Sequence, residues 1–381
     1  MRLLELAAVN GRGTVAKRVA IVLTVAGLAV LGWIATRVWV AWQGLDRVAF
    51  SPAEARVALE SPTTTSIGST TTLVYIEDEP EEENIPTAGT VVESAAEFAA
   101  ARLAAADEAM DVYLVLGSDQ RASLGSSRRA DTIMIFILPT DGSTPLLVSI
   151  PRDLYLHNPC TGGMSRVNAN LNGCGSNATG PEQVAVAVED FTGVAIDHFI
   201  LFTFDGFRNI INRVGGVEVC PSTPVRDGHV DPVPLNLPAG CSIARGDQAL
   251  AWVRSRHTEG LIGGQWVSVA SSDLVRNQRQ QDIILQALEK AARMSDISQL
   301  TAIVEELAGN FTIDEGLSLS DAISHAWSLR SLELRSIARP VLPVADYIDP
   351  DGRWVLVPRA TFESLVVAAN PLLAQYFTPA G

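Results

Sequence analysis

Lysine is almost missing from this chain of 381 residues: Lys17 and Lys290 are the only two, and 43 acidic residues outnumber 28 basic ones for a formal net charge of -15. A generally basic surface is therefore excluded. With it goes a nucleic-acid partner, because duplex binding draws most of its affinity from many Lys and Arg residues neutralising phosphates together. Cysteine is scarce as well, four residues in all, and their spacing matches no familiar zinc pattern. Internal repeats are absent, and no second core demands a separate domain. What the chain does have is apolar residues, 47% of the total, ample for a well-buried core and incompatible with a disordered protein.

Charge is also absent from Val19 to Thr36, VAIVLTVAGLAVLGWIAT. With Val38 to Trp42 after Arg37, this run is long enough to cross a bilayer core of about 30 Å. Arg2, Arg12, Lys17 and Arg18 precede it, which places residues 1–18 in the cytoplasm, a transmembrane helix over 19–42, and the remainder outside the cell. The competing reading is a cleaved signal peptide, against which stand the length of the span and the lack of a clear small-residue cleavage site. All four cysteines, Cys160, Cys174, Cys220 and Cys241, lie beyond the span, where an oxidising compartment allows two disulfides. Four cysteines permit three connectivities, and proximity favours Cys160 with Cys174 and Cys220 with Cys241. A zinc site using His157 and Cys160 is the sharper alternative. The sequons at Asn177 and Asn310 read as chance matches.

Residues 43–107 change character: a Ser/Thr tract, the acidic run EDEPEEEN and an alanine-rich stretch read as an extracytoplasmic linker, the last of these with a helical pattern. The acidic run can be taken for a cation-binding tail or, more simply, for a spacer. A single folded domain is expected over 108–381, an α/β fold with a mixed central β-sheet flanked by helices. Its strands are VYLVLG, TIMIFIL, LLVSI, HFILFTF, VEVCP, LRSIARPVL and RWVLVP. Helices are predicted over 181–191, from an N-cap at Asp205 to before Gly215, and over 245–253, 273–293, 296–308, 318–329 and TFESLVVAANPLL, with a long hairpin or loop over 221–240.

Polar residues gather at the ends of these apolar runs. Asp119, Arg121, Arg129, Asp131, Arg152 and Asp153 all fall between residues 114 and 153, as a phosphate-bearing ligand with a divalent cation requires. Asp119 and Asp131 at strand ends can share one hard cation, since Mg²⁺ takes a few carboxylates plus phosphate oxygens and water. Either aspartate alone would read as a turn or cap residue. Arg254 and Arg256 are two apart, on opposite sides of a helix but on one side of an extended segment, so they act together only if the helix ends near Val253. Asp273, Arg276 and Gln280 share one helical face, and Arg279 points some way round it. For a single helix this is an ordinary solvated face; the recurrence of the same residue types in four segments favours a site.

From about Asp111 to Ala292 the chain resembles the LytR-CpsA-Psr family of cell-wall ligases. The carrying elements are GSDQR (117–121), RRADTIMI (128–135), SIPRD (149–153), RVNANLNGCG (166–175), VGGVEV (214–219), ALAWVRSR (249–256) and DLVRNQRQQ (273–281). Two departures stand out: Arg166 where the family often has Lys, and Trp252 where it often has Tyr or Phe.

The resemblance implies a phosphotransferase that takes a glycopolymer from a polyprenyl-pyrophosphate carrier and attaches it through a phosphodiester to peptidoglycan. Asp119 and Asp131 would hold Mg²⁺, with Mn²⁺ as the substitute. Arg129, Arg152, Arg254, Arg256, Arg276 and Gln280 would contact the pyrophosphate, with Arg121 or Asp273 orienting them and Arg166 a weaker substrate contact. Asp119 is also a candidate base for the attacking hydroxyl, and the polyprenyl tail would enter an apolar cavity between sheet and helices. The same metal and arginines would suit a pyrophosphatase. From a different class, a membrane regulator or scaffold is the third reading, although the cytoplasmic tail has no room for a DNA-reading module.

Overall fold

The run from Met110 to Ser118 carries apolar side chains on both faces, and such a strand is satisfied only in the middle of a sheet covered on both sides. The computed structural model bears this out. It describes residues 33–60, 110–119, 128–294, 297–325 and 336–377, apart from positions 34, 271–272, 308–309 and 323. Most of the expected span over 19–42 lies outside these residues; positions 33 and 35–43 are helical, and among the described residues no helix is long and apolar enough to cross a membrane.

In chain order, β1 (Asp46–Val48) and helix α1 (Pro52–Glu60) precede β2 (Met110–Ser118), β3 (Ala130–Pro139) and β4 (Leu146–Ser149). The hairpin β5 (Tyr155–Asn158) and β6 (Gly163–Arg166) leads to α2 (Gly180–Thr192), β7 (His198–Thr203), α3 (Phe204–Arg213) and β8 (Val217–Val219). Then come β9 (Val225–Asp227), β10 (Leu235–Leu237), β11 (Ser242–Ala244), α4 (Gly246–Arg254), β12 (Thr258–Ile262), β13 (Gln265–Ala270), α5 (Asp273–Ala292) and α6 (Ile297–Leu307). The last elements are β14 (Phe311–Asp314), β15 (Val344–Ile348), β16 (Trp354–Pro358) and α7 (Phe362–Ala369).

The central sheet has the order β1-β14-β7-β2-β3-β4, with β2 antiparallel to β3 and parallel to β7, and is therefore mixed as expected. Leu114 and Leu116 face one side, where α2 and α7 cover them through Val184, Val188, Phe362 and Val366. Val115, Phe136 and Met134 face the other, against Ile284 and Leu285 of α5. A second apolar cluster joins α3, α4 and the β9–β10 hairpin and includes Ile283 of α5, so one helix serves both cores. Asp131, Arg152, Arg254, Arg256, Arg276 and Gln280 lie near the seam between these two clusters.

Several expectations need correction. The segment assigned to a linker begins as folded structure: β1 pairs in parallel with β14, and α1 packs Ala55 and Leu59 on Val186 while Arg56 pairs with Glu189 and Asp190. The N-cap of α3 is Thr203, whose hydroxyl accepts the Gly206 amide at 3.1 Å; Asp205 sits inside the first turn and pairs with Arg208 instead. Of LRSIARPVL the described residues 336–342 form no regular strand, only isolated parallel bridges from Ala338 and Val341 to Leu146 and Ser149. The hairpin β12–β13 and strands β14 and β15 were not expected. The cysteines pair as proximity favours, Cys160 with Cys174 and Cys220 with Cys241, which removes the zinc alternative: His157 faces Asp190 at 3.6 Å.

One histidine of the sheet is tied to a buried carboxylate. His198 Nδ1 lies 3.1 Å from the buried carboxylate of Asp314, tying β7 to β14. Burial pushes the imidazole down, but the hydrogen bond and charge of Asp314, helped by Asp197 and Asp111, outweigh it and raise the pKa. A raised folded value means that the pair stabilises fully below the unfolded histidine pKa of about 6.5 and loses this contribution as pH rises through the folded value. His198→Gln should therefore lower Tm more at about pH 6 than at about pH 9, measured by thermal melts across that range. An equal loss at both ends would remove the pair from the stability account.

Candidate functional site

The aspartates at the strand ends are aimed by an irregularity. Gly117 pairs with Thr132 and Ser118 with Ala130, so Asp131 is the extra residue of a β-bulge, and its side chain is re-aimed at the rim of the sheet. Asp119 is the next residue after β2. Gly117 sits between Thr132 and Phe202, and a Cβ there would meet the Phe202 ring at 2.9 Å; the missing side chain lets that ring lie across β2 and line the cavity.

The cavity measures about 310 Å³. Its apolar wall is Phe202, Phe204, Phe207, Val253 and Ile284, and its polar side is Asp131, Arg152, Arg254, Arg256, Arg276 and Gln280, flanked by Asp227, His229 and His257. Helix α4 ends at Arg254, and Ser255 is extended at φ -60° and ψ 126°. Both arginines of the pair consequently reach the cavity, as their spacing demanded. Arg254 lies 3.4 Å from Asp119, donates to the Asp231 carbonyl and stacks 4.4 Å over Phe204.

Carboxylates are threaded among the guanidiniums. Arg152 pairs with Asp131. Asp153, 3% exposed, has Arg152 at 3.4 Å, Arg256 at 3.5 Å and Arg166 at 3.6 Å. From α5, Arg276 is 4% exposed and Gln280 donates to the Val253 carbonyl at 3.3 Å. Arg279 turns away: it stacks 3.7 Å over Trp252 and donates to Thr258 at 3.0 Å, and burial pushes its pKa down to about 10 despite the charge of Asp227. Burial pushes the Asp227 carboxyl up, but hydrogen bonds from Ser255 and from the amides of His229 and His257 prevail and hold it below the usual range.

Asp131, Arg152, Arg254, Arg256, Arg276 and Gln280 thus converge on one cavity, with Asp119 attached through Arg254. Arg166 acts at one remove, on Asp153 and the Trp354 carbonyl. Arg129 is exposed just before β3 and does not line the cavity. Asp273 opens α5, and Arg121 lies outside the described residues. Sequence reasoning named Asp153 without giving it a role and missed Asp227, His229 and His257. His257 directly follows the arginine pair, but Asp227 comes from a Pro-rich stretch whose pairing is not local.

Asp119 and Asp131 are the carboxylates that could hold a cation. Asp119 and Asp131 are both partly accessible, and among the described residues no third His, Cys, Asp or Glu completes a cluster with them. The single such group, Glu218 with Cys220 and Cys241, is built on a disulfide. Each of the two faces an arginine, Asp131 facing Arg152 and Asp119 facing Arg254, so a cation held there would need phosphate oxygens and water to complete its shell.

Residues 71–363 match the profile of the LytR_cpsA_psr family. The chain is 31% identical over 258 residues to the probable cell wall biosynthesis protein LcpB of Corynebacterium glutamicum, covering 63% of this chain and 56% of that one. It is 27% identical over 256 residues to the polyisoprenyl-teichoic acid–peptidoglycan teichoic acid transferase TagV of Bacillus subtilis, covering 65% and 60%. The chain therefore spans little more than half the length of these curated relatives. A LytR-Csp2A-Psr enzyme from Actinomyces oris has a similar structure, with TM-score 0.55, 26% identity, and coverage of 70% of this chain and 89% of that one. TagV of B. subtilis shares the fold at TM-score 0.55 and 22% identity, over 71% and 99%. Profile, ordered motifs and mixed sheet agree, and the chain belongs to the LytR_cpsA_psr family.

Proposed function

We propose that this protein is a phosphotransferase that moves a glycopolymer from a polyprenyl-pyrophosphate carrier onto peptidoglycan through a phosphodiester bond. The observation that carries the reading is a single cavity in which Arg152, Arg254, Arg256 and Arg276 meet Asp131 against an apolar wall, in a protein of net charge -15. The donor and acceptor classes are supported by relatives named as transferases from polyisoprenyl-teichoic acid to peptidoglycan. In the same reading residues 19–42 anchor the protein in the membrane, with the domain outside the cell.

Phosphoryl transfer asks little covalent help of a protein and much positioning and charge neutralisation. The acceptor hydroxyl oxygen bonds to the phosphorus that bears the glycan, while the bond from that phosphorus to the bridging oxygen breaks. Polyprenyl phosphate leaves with the bridging oxygen, and the hydroxyl proton passes to a base. The four guanidiniums hold the phosphate oxygens in line. Asp119 and Asp131 would hold Mg²⁺ or Mn²⁺, which when bound neutralises charge on the diphosphate. The volume sets a limit: about 310 Å³ is at the small end of ligand pockets, so it takes the diphosphate and the first part of the lipid, not a whole long tail.

Arg254→Lys keeps the charge but loses the stacking on Phe204 and the fork that reaches both Asp119 and the Asp231 carbonyl. It should leave Tm nearly unchanged and lower kcat by about 10²–10³-fold. Chelation of divalent cations should abolish turnover, and Mg²⁺ or Mn²⁺ should restore it. Turnover of a lipid-pyrophosphate-linked glycan, followed by release of lipid phosphate, should depend on added peptidoglycan fragments. Release that is equally fast without them would identify a pyrophosphatase, and full cellular function of a folded Asp131→Ala variant would identify a scaffold.

A further inference from the structure

The proposed chemistry needs Arg254 and Arg256 to address one ligand although a helix ends between them and no strand begins until Thr258. We propose that Asp227 is the positioning residue that fastens residues 255–257, so that both arginines face the donor diphosphate together. The proposal rests on the functional reading above and extends it to a side chain outside every motif that identifies the family resemblance.

Asp227 closes β9 and is 2% exposed. Its Oδ2 accepts the Ser255 hydroxyl at 2.7 Å and the His257 amide at 3.0 Å, the two residues on either side of Arg256. Its Oδ1 accepts the His229 amide at 2.9 Å and lies 3.3 Å from His229 Nδ1, which binds the loop after β9 to the same carboxylate. Ser255 Oγ is 2.6 Å from Thr258 Oγ1, which in turn accepts from Arg279 of α5. Ser255, Thr258 and Arg279 are all buried. The stretch bearing Arg256 is thus tied from β9 on one side and from α5 on the other.

A carboxylate is the side chain this position requires. It presents acceptors only, and here every neighbour that it meets at hydrogen-bond distance can donate. Asparagine would turn an NH₂ group toward donors at one of its two ends. Since the segment has no ladder of its own, the loss should appear as displaced guanidiniums rather than as a lost core. His257 packs on the His229 ring, Arg254 and Arg256 share the cavity with both, and the charge of Arg279 reaches the carboxylate from α5.

The test is a double-mutant cycle on the full chain with Asp227→Asn, Arg256→Ala and their combination, read by kcat and KM for a lipid-pyrophosphate donor and, independently, by calorimetric affinity for inorganic pyrophosphate with Mg²⁺. Asp227→Asn alone should lower kcat about 10- to 100-fold, the range expected when catalytic groups are misplaced by about an ångström. In the Arg256→Ala background the same change should cost no more than about 2-fold, because the group it positions is gone. Ser255→Ala should lose less and show the same non-additivity; if Asp227→Asn does not fold, this cycle decides. Losses that multiply in the double variants, or no loss at all, would overturn the proposal. Should the wild type bind pyrophosphate but leave the lipid donor intact, the functional reading fails while the binding cycle still judges Asp227. A wild type that binds no pyrophosphate sinks both.

Discussion

Guanidinium groups repel one another, and the crevice that collects Arg152, Arg254 and Arg256, with Arg166 behind them, has carboxylates interleaved with these side chains. Asp153 is central to this: one buried aspartate stands between Arg152, its neighbour in sequence, Arg166 of the following hairpin and Arg256 from far along the chain. Its contacts run from 3.4 to 3.6 Å, longer than good hydrogen bonds. Removing one partner from such a cluster leaves a buried charge uncompensated, which costs more than the pair itself contributes.

The backbone devices that bring these charges together are small. A bulge turns Asp131 to the rim, a glycine lets Phe202 cross its neighbouring strand, and a helix stops at the first of two arginines. None would suffice without α5, which packs Ile283 into one core, Leu285 into the other, and presents Arg276 and Gln280 between them. The cavity is the seam of two clusters, and the helix shared by both fixes its width.

Much of this was legible in the sequence because its signals are local. Continuous apolar runs marked β2, β3 and β7 as central strands, and the spacing of Arg254 and Arg256 required the helix end that is found. The four-residue spacing of Arg276 and Gln280 likewise put both on one face of α5, the face that lines the cavity. What escaped depends on partners far along the chain. β1 and β14 are short, and their strand character comes from pairing with each other and with β7. Asp227 looks like a turn residue until folding brings Ser255 and His257 to it. Asp205 reads as a cap because HFILFTF reads as a strand through Phe204, where the helix has in fact already begun.

The parallel pairing of β1 with β14 carries one more implication. β1 is the outermost strand, and it shields the backbone groups of β14 that would otherwise form a bare rim of the sheet. Such rims recruit strands from other molecules. A soluble fragment cut anywhere between residues 61 and 109 would discard both β1 and α1, and would begin life with an adhesive flank.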